Sequence, residues 1–134
     1  MTAKDWMLRA WRLQDEIDAL NEARKTAFDR MTHITPSYDS NGGGTVSPDP
    51  HKFDYIAAYI SQIDERQRQL VEVQSEILAA INRVSSPQIR SILLARYINC
   101  ERFETIAYRT GVSWRHVVRL HGYGLLEIKN IVGL

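Results

Sequence analysis

Apolar residues recur along the first part of the chain at Trp6, Ala10, Leu13, Ile17, Leu20, Ala27 and Met31, a four-three spacing interrupted only by Arg24. Such a rhythm puts one apolar stripe along a helix, as in the seam of a coiled coil. The stripe stops at "HITPSYDSNGGGTVSPDP", a run of glycine, serine, proline and asparagine that cannot hold a helix and predicts a mobile loop over about 33–50. The spacing then returns at Ile56, Ile60, Ile63, Gln67, Leu70, Gln74, Ile77, Ile81 and Val84, starting after Asp49-Pro50 and stopping at Ser85-Ser86-Pro87. Two such helices satisfy their stripes by folding back as an antiparallel hairpin, a coiled-coil rod of roughly 40–50 Å. Ile34, Phe53, Val71, Val73 and Leu78 fall off the seam. That surplus predicts a further partner, with self-association through residues 1–84. Gln67 and Gln74 either fix register or are solvated imperfections of a weak seam.

Beyond the rod the rhythm shortens, and a separate domain is expected over 85–134. Ser86 is a candidate N-cap with Pro87 at the first helical position, and Ile89, Leu93 and Tyr97 are spaced by four. The following stretch carries the pattern of a helix-turn-helix. Ala107 is small where two helices cross, Gly111 accepts positive φ at the turn, and Val112 fills the corner. Ser113 is placed to cap a second helix, from which Val117 and Leu120 turn inward with Ile106. The outward set is then Trp114, Arg115, His116, Val118 and Arg119, cationic and aromatic at the end of the helix that reaches base edges in a major groove. The second helix either ends near Gly122 and Gly124 or runs on through Leu125 and Ile128.

Charge sharpens this picture. The chain has 134 residues and a net charge of +1. Residues 1–82 hold nine Lys/Arg against thirteen Asp/Glu, whereas 83–134 hold eight against three. An acidic front and a basic back point to nucleic acid at the C-terminal part. No stretch is apolar enough to span a bilayer, and the start, "MTAKDWMLRAWRLQDEID", is too charged for a secretory signal, so a cytoplasmic protein is expected. Cys100, the single cysteine, is read as a half-buried packing residue. Tyr97 and Tyr108 are read as core or boundary residues, and Trp6 and Trp11 as rod packing or partner surface.

Residues 92–128, "ILLARYINCERFETIAYRTGVSWRHVVRLHGYGLLEI", resemble region 4 of sigma-70-type factors. They are still more similar to small phage and prophage proteins of Gram-positive bacteria, a sigma-region-4-like family that includes regulators of late or autolysin genes. On this resemblance Leu93, Arg96 and Tyr97 match the first helix. Ile106, Ala107, Gly111, Val112, Ser113 and Val117 match the structural frame, and Arg119 matches the arginine of the recognition helix. The resemblance implies double-stranded DNA as a partner and action at promoters with host RNA polymerase. No segment matches the region that binds the minus-ten element, so promoter opening is not expected of this chain.

The candidate DNA-contacting residues are therefore Ser113, Trp114, Arg115, His116, Arg119, Arg109, Arg102, Thr105 and His121. Arg115 and Arg119 are expected to read bases. Arg109 and Arg102 are either solvated charges or phosphate contacts, and His116 and His121 are candidate phosphate contacts that weaken as pH rises. Trp114 is either part of that face or a core aromatic. Catalysis is not expected: His33 and His51 flank the glycine-rich loop, no metal-ligand spacing appears, and "GGG" at 42–44 lacks the Gly-Lys-Ser/Thr of a phosphate loop. Neither a cofactor nor a metal is implied. The second functional reading is a DNA-packaging protein similar to a phage terminase small subunit, with the coiled coil forming a ring.

Overall fold

The computed structural model describes residues 1–32 and 53–134, so the loop expected over about 33–50, with His33, Ile34 and His51, lies outside the described residues. Every described regular element is helical. None of these helices is long and apolar enough to cross a membrane. Helix α1 (Ala3–Met7) starts at Thr2, whose hydroxyl accepts from the Asp5 amide while the Asp5 carboxylate accepts from the Thr2 amide. A single residue, Leu8, separates it from α2 (Arg9–Thr32). Helix α3 (Asp54–Asn82) lies against α2.

Cross-helix ion pairs fix the direction: Arg9 meets Glu76 at 2.8 Å and Glu16 meets Arg66 at 2.6 Å, so positions rise along one helix as they fall along the other. The α2 stripe is the expected one, with Ala10 and Ile17 buried and Leu13 and Leu20 packed beside them. On α3 the seam is turned over most of its length. Ile56, Ile63, Leu70 and Ile77, and at the C-terminal end Ile81 and Val84, are buried as expected, but Tyr59, Arg66 and Val73 are half-buried and Ala80 buried beside them, while Ile60 and Gln67 face solvent and Gln74 is only half-buried. Both phases share the same one-in-seven anchors. The observed one turns apolar Val73 and Ala80 toward the interior and leaves Gln67 in solvent, and it lets Arg66 reach Glu16.

Helix α4 (Pro87–Leu93) begins as expected, with the Ser86 hydroxyl accepting from the Ile89 amide at 3.4 Å. It continues into a π-helical turn, Leu94–Ile98. The chain leaves that turn through Cys100 at φ 55°, with the Glu101 amide donating to the Ala95 carbonyl at 3.0 Å. The Arg96 carbonyl is thereby left to accept the Trp11 indole N–H at 2.7 Å. Trp11 thus ties α2 to the C-terminal helices. The Arg96 guanidinium lies 4.5 Å from the Trp11 ring and 4.3 Å from the Phe103 ring, held between them.

Helix α5 (Phe103–Thr110) ends at Gly111, whose φ of 69° puts it in the left-handed region. Helix α6 (Trp114–Val132) is capped by Ser113, which accepts from the His116 amide at 3.2 Å, and runs unbroken through Gly122 and Gly124 to Gly133. Two apolar clusters organise the packing. One, built from Ile92, Ala95, Ile106 and Val117, holds α5 and α6 together behind the Gly111 turn. The other joins Met7, Ala10, Ile17, Ile77 and Ile81 to Leu93, Tyr97 and Ile128. This larger core crosses the boundary expected near residue 84, so the long helices and the C-terminal helices share one interior.

Candidate nucleic-acid interface

The orientation of α6 is set from the inside. Val117, His121, Gly124 and Ile128 are buried, a four-three-four spacing that turns one stripe toward α4 and the long helices. Gly124 sits where α6 crosses α4: a Cβ there would lie 2.8 Å from Ile89 Cγ2 and 3.0 and 3.2 Å from the Leu93 methyls. With that stripe inward, the opposite face presents Arg115, His116, Arg119 and Tyr123 to solvent, with Trp114 half-exposed at the helix start. Ser113 is exposed as well, but its hydroxyl is already used in capping.

Helix α5 exposes Thr105, Tyr108 and Arg109, and Arg102 is exposed at its N-cap. Of the arginines, Arg109 is engaged, its guanidinium 2.6 Å from the Glu101 carboxylate. Its charge is offset within the chain, which leaves less of it for an outside anion. Among the described residues Arg102, Arg115 and Arg119 form no ion pair and keep their full charge for an outside anion. The first turns of α6 therefore carry two unpaired guanidiniums beside a helix N-terminus, where the macrodipole adds partial positive charge.

His121 does not belong to this face. It is 7% exposed, its Nε2 2.6 Å from the Tyr97 hydroxyl and its ring edge-on to Phe103 at 4.8 Å between centroids. Burial, with the nearby Arg96 and Lys4 charges, pushes its pKa down to about 4, and burial raises Tyr97 to about 12. Both groups are neutral near pH 7 and satisfy each other. A neutral buried imidazole holds no phosphate, so His121 is not the phosphate contact that its sequence position suggests. The sequence signal for its inward direction was present, since 117, 121, 124 and 128 share one face once the helix is carried past the glycines.

This pair makes the fold acid-sensitive. Below about pH 6.5 the unfolded chain takes up a proton at His121 that the folded chain refuses until about pH 4. The contribution is complete above pH 6.5 and falls as pH drops toward 4, by roughly 2–3 kcal/mol. Urea unfolding at pH 7 and pH 4.5 measures it, and His121→Phe, which cannot charge, is expected to flatten that part of the profile.

Two tyrosines correct the sequence reading further. Tyr108, expected in the core or at its boundary, is 93% exposed, because Ile106 and Ala107 take the inward positions of α5. Tyr123 is a surface residue of α6 that the outward set of 114–119 does not include. It follows Arg119 by four and extends the outward face only because the helix passes Gly122. The turn itself is a sensitive point: Gly111→Val forces a β-branched residue to positive φ and is expected to cost about 2 kcal/mol, seen as a lower thermal midpoint.

No family model, curated protein or solved structure matches this chain. The residues and their geometry carry the functional reading.

Proposed function

We propose that the chain is a sequence-specific regulator of transcription, phage- or prophage-encoded, in which residues 85–134 act as a sigma-region-4-like helix-turn-helix on double-stranded DNA. The observation that carries this reading is the first half of α6. Behind a glycine turn at positive φ, a capped helix buries Val117 and presents Arg115, His116 and Arg119 on one exposed face. That face suits a major groove, where arginine pairs with guanine through two hydrogen bonds and base edges distinguish all four pairs. Arg102 at the N-cap of α5 and Thr105 on it, both exposed, serve as backbone contacts that position the helix without reading sequence. The long helices self-associate, so that one assembly carries two such modules, with host RNA polymerase as the further partner.

Selection of bound duplexes from a random pool, by the protein alone and again with polymerase, tests the proposal. A single enriched motif, strengthened by polymerase, is the expected result. A pool that stays random at moderate salt in both arms removes sequence-specific regulation.

A further inference from the structure

Helix α3 carries a second stripe besides its seam. Positions 53, 57, 60, 64, 67, 71, 74 and 78 alternate four and three, about a quarter-turn around the helix from the buried row. They are Phe53, Ala57, Ile60, Asp64, Gln67, Val71, Gln74 and Leu78. Its apolar members face solvent: Ile60 is 45% exposed, Val71 62% and Leu78 43%, with Phe53 at the start of the helix also exposed.

Reversed about the point between positions 65 and 66, the stripe complements itself in three of its four pairs, Ala57 with Gln74 being the exception. Reversal brings Phe53 onto Leu78, Ile60 onto Val71, Ala57 onto Gln74 and Asp64 onto Gln67. Apolar meets apolar at both ends, and at the centre a carboxylate meets an amide that donates to it. Beside the stripe, Arg68 is paired with Glu65 of its own chain at 3.0 Å, so no unpaired charge flanks its centre on that side. A two-fold interface needs a surface complementary to itself, and this stripe has that property in one antiparallel register.

We propose that a second copy of this chain packs its α3 antiparallel on this stripe, with Ile60 of each copy against Val71 of the other. The inference deepens the self-association part of the proposed function, by naming its surface and register, and does not depend on the DNA part. It places the two Asn82 ends about 50 Å apart at 1.5 Å per residue. The two C-terminal modules then sit at opposite ends of the pair, separated by more than the ~34 Å of one DNA turn.

The test is cross-linking in a Cys100→Ser background. Within one chain positions 60 and 71 are roughly 16 Å apart along the helix, and so are the two copies of either position across the proposed axis. All are beyond the ~7 Å Cα limit of a disulfide. The double variant Ile60→Cys/Val71→Cys is expected to give a covalent dimer on mild oxidation, whereas each single variant gives none. With Cys100 retained, Val71→Glu is expected to convert the sedimenting species to monomer at micromolar concentration with an unchanged thermal midpoint for the monomer fold. Self-cross-linking of a single variant would mean a parallel pair and overturn the proposal. An oligomer that neither cross-links in the double variant nor dissociates with Val71→Glu would place self-association elsewhere and overturn it too. A strictly monomeric wild-type chain would remove both this interface and the self-association expected of residues 1–84, and would leave the stripe to another protein.

Discussion

Gly124→Val is expected to destabilise the protein by about 3 kcal/mol, whereas Gly122→Ala, two residues earlier on the same helix, is expected to stabilise it by up to ~1 kcal/mol. Both glycines are interior to α6 and carry the same intrinsic helical cost, so the difference comes from what surrounds them. At Gly122 a Cβ would enter open space, and the gain in helix propensity is kept. At Gly124 it would lie 2.8 Å from Ile89 Cγ2, a branch fixed by its own backbone, and 3.0 Å from a methyl of fully buried Leu93. Neither neighbour can swing away, so α6 must lift off α4, and overpacking of this kind outweighs the propensity term. Alanine at 124 is the milder case, losing by overpacking most of what it gains in propensity. Thermal melts at one fixed protein concentration measure the pair. A fall of roughly 10 °C for Gly124→Val beside a rise for Gly122→Ala is expected. A tolerated valine would mean that α6 is not seated on α4 as described.

Much of this fold is legible in the sequence, because the signals concerned are local. The seam of α2, the Ser86-Pro87 start of α4, the left-handed Gly111 and the Ser113 cap each follow from residue type and spacing alone. What sequence could not supply depends on partners brought together through space. The phase of α3 depends on what α2 brings against it, including Glu16, which meets Arg66 from fifty residues away. The run of α6 past two glycines is stabilised by burial of His121, Gly124 and Ile128, which outweighs their low helix propensity. The π-helical turn and the left-handed Cys100 have no signature in composition; they become intelligible only when Trp11 arrives to take the Arg96 carbonyl. The first half of α6 and its surroundings show the same division. Arg115, His116 and Arg119 are exposed as spacing predicts, while the pairing of Arg109 with Glu101 and of His121 with Tyr97 needed the coordinates.

The second large effect is expected at Arg115. It stands in the first turn of α6, exposed and without an ion pair among the described residues, the part of the helix that enters deepest when such a module lies in a major groove. A bidentate arginine–guanine contact discriminates by about 1–3 kcal/mol, so Arg115→Ala should weaken the selected duplex by roughly tenfold to a hundredfold. Because the side chain is solvated and makes no contact that supports the fold, the thermal midpoint should not move. Arg102→Ala should behave differently, weakening all duplexes alike and lowering the slope of log K against log salt by about one unit, as expected for a lost phosphate contact. Arg109→Ala should have the smaller effect, since its charge is shared with Glu101.

The central claim is that the exposed face of α6 reads DNA sequence. A salt titration of wild type and Arg115→Ala on the selected duplex and on its scrambled counterpart tests it most directly. The account predicts that Arg115→Ala loses affinity for the selected duplex and little for the scrambled one, with nearly parallel salt slopes on the latter. Equal losses on both duplexes, or no loss on either, would contradict it.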